Sequence, residues 1–392
     1  MPTWIVDGVR TPIGSMNGLL ASVPAPRLGA ACIAALLRRT RIDPSLVDEV
    51  ILGNVIGAGL GQNPARQAAL FGGLPNSVGA TTVNKVCGSG LKAVMLGDQA
   101  IRLGEAHVVI AGGMENMSRA PYLLTRARSG YRLGHGELID AMIQDGLWDV
   151  YHQKHMGNCG DSCASTFGMT RQEQDDHSVR SFLRAREAIA TGAFRDEIVP
   201  VEIEGRGRPA VVEEDEGPSR FDEARLRSLK PAFGEGPEAT ITAGNASSIS
   251  DGASALLLIS EDLRTRIESA PLARLVGAVT HSQEPEWFTT APVFAVRKLL
   301  DRLGWKIDEV DLFEINEAFA VVAMVAAQEL SIPADRLNVR GGAVALGHPI
   351  GASGARILVT LMHALHQTGG RRGVASLCIG GGEAVALAIE MT

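Results

Sequence analysis

Several features that mark other classes of protein are scarce or missing in this chain of 392 residues. No apolar run reaches the ~18–20 residues that a membrane-spanning helix needs, so we expect no membrane partner. The five cysteines are sparse in a long chain and odd in number, so they do not indicate a disulfide framework. We therefore expect a reducing, cytoplasmic compartment. Because acidic residues outnumber basic ones and the net charge is −7, we also expect no nucleic-acid partner.

Glycine is abundant, and the chain contains a weak internal repeat. Three pairs of segments resemble each other: VDEVIL (47–52) and IDEVDL (307–312), CGSG (87–90) and GASG (351–354), and HVVIAGGME (107–115) and ASLCIGGGE (375–383). The third pair sets Cys378 opposite Ile110. Each copy alternates short apolar strands with helices that end at glycine, which predicts a mainly parallel sheet with helices on both faces.

The repeat divides the chain into three parts. We predict an α/β protein with an N-terminal half at 1–118, a loop domain at 119–250 and a C-terminal half at 251–392. The middle part differs in character, with basic clusters, an acidic run at 213–220 and a predicted helix at 171–191. We expect this insert to hold a ligand over the core.

Cys87 is the first candidate for chemistry. It stands in VNKVCGSG, after an apolar stretch and at the start of a predicted helix. Free N–H groups and the positive end of the helix dipole favour a thiolate there. On local sequence alone, a buried structural cysteine is an equally good interpretation.

Three other residues could act with Cys87. His348 lies in a turn just before GASG, and a twofold relation between the repeats would bring this turn to Cys87, in the arrangement of an activated thiol. Cys378 ends an apolar strand before three glycines, whose N–H groups could stabilise an oxyanion, although a core thiol is the simpler interpretation. Asn316 could cap a helix or hold a water.

Two further patterns are weaker. His152, His155, Cys159 and Cys163 have a spacing that fits no common zinc site, because four ligands on one short helical stretch cannot easily close a tetrahedron. The GAGLG segment at 57–61 lacks the Lys-Ser/Thr of a phosphate-binding loop. We therefore expect neither a metal ion nor a phosphate loop.

The longer motifs resemble those of the thiolase family. They are VNKVCGSG, AGGMENMS, HMG (155–157), TAGNAS (242–247), NEAFA (316–320), GGAVALGHPIGASGAR (341–356) and CIGGG (378–382). The resemblance runs from DGVRTPIG (7–14) to the C-terminus. It implies the thiolase fold, in which two repeated βαβαβαββ halves form a five-layered α-β-α-β-α body with an inserted loop domain.

The resemblance also implies roles for five residues. Cys87 matches the nucleophile that is acylated, and His348 matches the base that activates it and helps to form a first oxyanion hole. Asn316 matches the residue that positions the water of that hole. Cys378 matches the acid/base that takes a proton from the α-carbon of a second acetyl-CoA. The N–H groups of Cys87 and Gly380 match a second oxyanion hole.

Coenzyme A is then substrate and product, and no other cofactor is implied. The positions that match its binding site are His155, Met156, Arg220, Leu229, Ala243, Ser247, Phe288, Ala318 and Phe319. Residues 119–140 match the protruding loop through which family members form tetramers, so we expect a homotetramer built as a dimer of dimers.

The implied reaction is the reversible condensation of two acetyl-CoA molecules to acetoacetyl-CoA and CoA. Phe288 stands where short-chain biosynthetic members have methionine, and the surrounding 284–295 resembles members that accept a 2-methyl branch, so 2-methylacetoacetyl-CoA and longer 3-oxoacyl chains stay open. Pro218 replaces a tyrosine that helps those members to bind potassium. A decarboxylating ketoacyl synthase and a non-catalytic acyl-CoA-binding protein are less favoured, because the catalytic set, including the second thiol, is retained.

Overall fold

The structure is a computed structural model that describes residues 1–203 and 210–392. The strands are β1 (Thr3–Arg10), β2 (Gly14–Ser15), β3 (Glu49–Gly53), β4 (Gly79–Val83), β5 (Val108–Asn116), β6 (Tyr122–Leu123), β7 (Ile139–Asp140), β8 (Trp148–Asp149), β9 (Lys154–His155), β10 (Val201–Ile203), β11 (Ala210–Val212), β12 (Ser250–Ser260), β13 (Ala273–Ser282), β14 (Leu312–Ile315), β15 (Arg372–Ile379) and β16 (Glu383–Met391). The α-helices are α1 (Ala25–Thr40), α2 (Pro64–Phe71), α3 (Ser89–Leu103), α4 (Met156–Thr166), α5 (Arg171–Ala190), α6 (Glu216–Ser219), α7 (Glu223–Ser228), α8 (Ala291–Leu303), α9 (Ala320–Leu330), α10 (Ala343–Leu346) and α11 (Ile350–Thr368).

The main sheet has the strand order β14-β15-β16-β13-β1-β12-β5-β3-β4, with β2 paired to β12. Strand β12, which begins the predicted C-terminal half, lies between β1 and β5 of the N-terminal half, and the pairing of β1 with β13 joins these strands to the rest of the C-terminal half. Strand β3 is parallel to β4 and β5, and β14 is parallel to β15, but the other pairs of this sheet are antiparallel. The sheet is therefore mixed and not mainly parallel as predicted. Apolar runs show that a strand is buried on both faces, but they do not show its direction.

Three layers of helices surround and separate these strands. Helices α1 and α2 pack on the outer side of the N-terminal half, and α8 and α9 pack on the outer side of the C-terminal half. Helices α3 and α11 lie between them, where they share an apolar cluster with strands from both halves. The alternation of helices and strands follows from burial, because long strands such as β5, β12 and β15 are buried on both faces and must be covered twice.

The two central helices begin in the segments that the repeat pairs as CGSG and GASG. A Cβ on Gly90 would lie 2.8 Å from the backbone nitrogen of Ala355, and a Cβ on Gly354 would collide with the backbone of Leu91. The contact is therefore reciprocal, as a twofold relation requires. Both helices also end at a glycine in the left-handed region, as predicted.

The other two pairs of repeat segments are aligned differently in the structure. Asp48 accepts hydrogen bonds from the N–H groups of His107 and Val108, at the start of β5. Asp311 accepts the equivalent bonds from the N–H groups of Arg371 and Arg372, at the start of β15. These two aspartates therefore occupy equivalent positions.

The register of the parallel strands agrees with the two aspartates, since Glu49 pairs with Val109 and Leu312 pairs with Gly373. This register sets Cys378 opposite Met114, so the predicted equivalence with Ile110 is wrong. Short apolar runs followed by glycines look alike at several registers, and only the strand pairing distinguishes them.

The predicted insert lies between β5 and β12, which are neighbours in the sheet. It contains α4 to α7 and the small two-stranded sheets β6–β7, β8–β9 and β10–β11. The helix predicted at 171–191 is confirmed as α5, where Thr170 and Glu173 form a reciprocal capping box. Across residues 1–203 and 210–392, no helix is both long and apolar enough to span a membrane.

We predict that Gly354→Ala lowers the free energy of unfolding by ~1–3 kcal/mol, because the added methyl group must separate the two central helices. This loss should appear although alanine is the better helix former in general. The measurement is a denaturant or thermal unfolding curve for each variant. Gly79→Ala is the control, since its Cβ would have no atom closer than 3.7 Å. Equal stability of the two variants would contradict the proposed close contact.

Candidate active site

Cys87 stands on a strained turn immediately before α3. The preceding residue, Val86, has φ of 46°, a left-handed conformation that is costly for a β-branched side chain. The turn is held by Asn84, whose side chain accepts from the Val86 N–H at 2.9 Å, and by Ser89, whose hydroxyl donates to the Val86 carbonyl at 2.6 Å. Strain that is maintained in this way is typical of a functional turn, and here it fixes the direction of the Cys87 side chain.

The Cys87 thiol is not stabilised as a thiolate in this structure. Burial raises its pKa to about 11, while the N–H of Gly380 acts in the opposite direction with a smaller effect. The helix proper begins at Ser89, so Cys87 lies outside its first turn. The prediction that the helix start favours a thiolate is therefore wrong for the resting protein, in which burial dominates.

Cys378 is the penultimate residue of β15 and is fully buried. Burial raises the pKa of this thiol well above its usual value, and the nearby thiols of Cys87 and Cys163 raise it further. The chain then turns through Gly381 and Gly382, which have φ of 93° and 84°. A Cβ on Gly382 would collide with the backbone at Gln283, so the turn requires glycine on two grounds.

His348 and Asn316 form a second cluster. Asn316 directly follows β14, and its Nδ2 lies 3.4 Å from Nε2 of His348. Since α9 begins at Ala320 and is preceded by Phe319, Asn316 does not cap that helix, and the capping interpretation is wrong. Burial lowers the pKa of His348 to about 3, and the positive charge of Arg356 contributes, so the imidazole is neutral at physiological pH.

The contact between the central helices brings these clusters together. A Cβ on Gly53 would meet both the carbonyl of Gly351 and the side chain of Ser89, so the starts of α11 and α3 adjoin. Cys87 lies two residues before α3, and His348 lies two residues before α11. One cluster consists of the two thiols and the Gly380 amide, and the other of His348 and Asn316. Both therefore lie in the same region, as the repeat predicts.

Glu115 organises this region and was not singled out from the sequence. Its carboxylate accepts from the N–H groups of Val55, Ile56 and Gly351 at 3.0–3.2 Å, and from the side chain of Asn54 at 2.8 Å. Burial raises its pKa to about 7, against the effect of these bonds. A lone acidic residue inside the apolar strand β5 is the signal that could have revealed it, because buried charges need partners.

Four of the positions matched to the coenzyme A site contact one another or share a contact with Phe233. The His155 ring stacks on Phe233 at 4.4 Å, and Phe233 meets Phe319 edge to face at 6.3 Å. The Ser247 hydroxyl donates to the Ala318 carbonyl at 2.9 Å. Phe233 was missed in the sequence, because an aromatic residue in a loop carries no pattern of its own.

The remaining predicted positions differ in their exposure. Ala243 is exposed and Leu229 is half-buried. Arg220 is largely exposed, with one nitrogen 2.6 Å from Glu216, so its remaining donors can meet an anion. Met156 is buried, and Phe288 is buried in the same apolar cluster.

A cavity of about 190 Å³ opens beside the catalytic region. Its walls include Val86, Trp148, Tyr151, Met156 and Gly380. Val86, which precedes Cys87, and Gly380, which follows Cys378 by two residues, therefore border this space, and its volume is sufficient for a small acyl group. Within the two described ranges, no group of three or more His, Cys, Asp or Glu side chains is placed to hold a metal ion. His152 instead bonds to Asp149 at 2.8 Å.

Comparisons with known proteins agree along the whole chain. Residues 3–262 match the family model described as "Thiolase, N-terminal domain", and residues 269–391 match "Thiolase, C-terminal domain". The chain is 53% identical to "Acetyl-CoA acetyltransferase 2" of Arabidopsis thaliana, over 99% of this chain and 96% of that protein. It is 50% identical to "Acetyl-CoA acetyltransferase" of Pseudomonas aeruginosa, over 98% of each. The solved structure of the Bacillus anthracis acetyl-CoA acetyltransferase superposes with a TM-score of 0.97 at 40% identity, covering 100% of this chain and 99% of that one.

The pKa of Cys87 leads to a prediction about alkylation. Only the thiolate reacts with iodoacetamide, so the rate at Cys87 should rise roughly tenfold per pH unit from neutral pH toward about 11, with no plateau near 7. The measurement is the alkylation rate of the free protein, with the modified residue identified by peptide mass spectrometry. Cys87→Ala should lose this modification. A plateau below about pH 8 would show a resting thiolate and contradict the assignment.

Proposed function

This chain belongs to the thiolase family, and from that premise we propose that it is an acetyl-CoA C-acetyltransferase. It condenses two molecules of acetyl-CoA reversibly to acetoacetyl-CoA and CoA, through an acetyl group carried on Cys87. The observation that carries the proposal is the meeting of two thiols, Cys87 and Cys378, beside the amide of Gly380. One thiol can hold an acyl group while the other exchanges a proton with carbon.

The first step is acylation. The Cys87 sulfur attacks the thioester carbonyl as its proton moves to Nε2 of His348. The bond to the CoA sulfur then breaks, and the CoA thiolate takes this proton as it leaves. The transient oxyanion is stabilised by His348 and by a water that Asn316 holds, and the unpaired, buried Oδ1 of Asn316 supports that water.

The second step forms the carbon–carbon bond. Cys378, as a thiolate, removes a proton from the α-carbon of a second acetyl-CoA, and the resulting enolate attacks acetyl-Cys87. The bond between the acetyl carbon and the Cys87 sulfur breaks, and the Cys87 thiolate is reprotonated by Cys378. Burial makes the Cys378 thiolate scarce but strongly basic, which suits a weakly acidic C–H group. Neither step requires a metal ion or a redox cofactor.

The relatives support the acetyl group as the unit transferred, because proteins named acetyl-CoA acetyltransferase are about half identical to this chain over almost their whole length. We further propose a homotetramer, assembled as a dimer of dimers through residues 119–140. Tyr122, Leu124, Leu133 and Leu138 on this segment are largely exposed, and apolar side chains grouped in this way are typical of an interface.

We propose a cytoplasmic location and a place in fatty acid metabolism, where two-carbon units are joined to or cleaved from acyl chains. The unpaired state of all five cysteines supports a reducing compartment. The reaction is reversible, so synthesis and thiolysis use the same residues.

The two thiols should separate the two steps experimentally. Cys87→Ala should abolish both condensation and thiolysis, since no acyl-enzyme forms. Cys378→Ala should lose condensation but still exchange labelled CoA into acetyl-CoA, because acylation needs only Cys87 and His348. Cys32→Ala, which removes a buried thiol on α1, is the matched control and should keep both activities.

Condensation by Cys378→Ala at the parent rate would disprove the proton transfer. Turnover of a malonyl thioester but not of acetyl-CoA would favour a decarboxylating synthase. Tight binding of CoA without any thiolysis of acetoacetyl-CoA would favour a binding protein.

Phe288 should limit the length of the acyl chain. It belongs to the same buried apolar cluster as Met156, which lines the cavity. Phe288→Ala should therefore raise kcat/KM for a 3-oxoacyl-CoA two carbons longer relative to acetoacetyl-CoA by at least about tenfold, the usual effect of a methylene in an apolar pocket. The measurement is thiolysis of a series that includes 2-methylacetoacetyl-CoA. The control is Phe294→Ala, which truncates a half-exposed phenylalanine on α8. An unchanged ratio would exclude Phe288 from the pocket.

A further inference from the structure

His348 and its neighbours form a chain of buried polar groups whose protons can be arranged in two ways. Nδ1 of His348 lies 2.5 Å from the Ser353 hydroxyl, in the first turn of α11. The same hydroxyl lies 2.9 Å from the Pro349 carbonyl. On the other side of the ring, Nε2 faces Nδ2 of Asn316. Ser353 is fully buried, so its hydroxyl cannot exchange these partners for solvent.

In the first arrangement the proton of the neutral ring is on Nδ1. The Nδ1–H group donates to the Ser353 oxygen, and the Ser353 hydroxyl donates to Pro349. The Asn316 amide donates to Nε2, which keeps its lone pair. Oδ1 of Asn316, which has no protein partner, then remains as the acceptor for the water of the acylation step.

In the second arrangement the proton is on Nε2. The Ser353 hydroxyl then donates to Nδ1, and Asn316 must turn its amide so that Oδ1 accepts from Nε2–H. Oδ1 of Asn316 would then no longer be available to accept from the water of the acylation step. The Ser353 hydroxyl has one proton, so its contacts with Nδ1 and with the Pro349 carbonyl are both hydrogen bonds only when Nδ1 is the donor, and the first arrangement is favoured.

We propose that Ser353 is a positioning residue that holds the neutral His348 ring in the Nδ1–H form, so that the lone pair of Nε2 can exchange its long 3.4 Å contact with Asn316 for the proton of Cys87. This proposal rests on the proposed function, because it concerns the acylation step of that reaction. Ser353 contacts no reacting atom. It acts through the ring, as the partners of metal-binding and catalytic histidines do when they fix a tautomer.

The electrostatic surroundings make the tautomer matter. Burial and the positive charge of Arg356 lower the pKa of His348, so the ring is already neutral at physiological pH. In a neutral ring only one nitrogen can accept a proton. A ring with its proton on Nε2 would offer Cys87 a donor in place of a base.

A purely structural role for Ser353 is the competing interpretation, since a helical serine that bonds to the carbonyl four residues earlier is common. Ser178 on α5 provides a matched comparison. It is also fully buried, and its hydroxyl donates to the Gln174 carbonyl at 2.8 Å. Ser178→Ala therefore removes the same kind of helical bond outside the catalytic region.

The kinetic test compares Ser353→Ala, Ser353→Thr and Ser178→Ala in the exchange of labelled CoA with acetyl-CoA. Ser353→Ala should lower the exchange kcat by about 10–100-fold, the range found when such a partner of histidine is removed, with KM for CoA unchanged. Ser353→Thr keeps the hydroxyl and should recover most of the rate. Ser178→Ala should match the parent. An equal loss in both alanine variants, or no loss in Ser353→Ala, would overturn the proposal.

The tautomer is also measured directly in the parent protein, by nitrogen NMR of isotope-labelled histidine with His348→Asn used to assign the signal. A protonated Nδ1 and an unprotonated Nε2 at neutral pH are expected. A protonated Nε2 would overturn the proposal even if the Ser353 variants failed to fold. Because this measurement needs no turnover, it also distinguishes failure of the tautomer assignment from failure of the acyltransferase function.

Discussion

The close packing of α3 against α11 is the constraint on which the active site depends. Gly90 and Gly354 allow each helix to reach the backbone of the other, so the two helix starts meet between the layers of strands. The turns that carry Cys87 and His348 precede these starts and are brought together with them. Glu115 on β5 accepts a hydrogen bond from the N–H of Gly351 and so holds the start of α11 against that strand. A side chain at either glycine would move the nucleophile and its base apart, which explains why small residues are needed there.

Burial then sets the chemistry of the groups that meet. The thiol of Cys87 and the ring of His348 are both neutral at rest, since burial raises the pKa of the first and lowers that of the second. An ion pair of thiolate and imidazolium would need solvation that this region does not offer. The proton therefore moves only as the thioester carbonyl is attacked, when oxyanion donors can stabilise the new charge. The same burial makes Cys378 a strong base for carbon.

Much of this arrangement could be predicted from the sequence, and the failures have physical reasons. The repeat predicted that Cys87 and His348 meet, because helix starts marked by glycine are distinctive in sequence. It misaligned the strands, since apolar runs look alike at several registers, and it therefore paired Cys378 with the wrong residue. The thiolate was predicted from the helix start alone, whereas burial depends on the packing of distant segments. Phe233 could not be predicted, because an aromatic residue in a loop carries no pattern, whereas Glu115 could have been predicted as a lone acidic residue in an apolar strand.

The acetyl group on Cys87 is the covalent intermediate on which both steps depend, and trapping it is the most direct test. The protein is mixed with acetyl-CoA that carries a labelled acetyl group, quenched in acid within the first turnover and digested, and the labelled peptide is identified by mass spectrometry. The label is expected on the peptide that contains Cys87, and it should be removed when CoA is added before the quench. Label on the Cys378 peptide, or none on any cysteine while acetoacetyl-CoA still forms, would contradict the account.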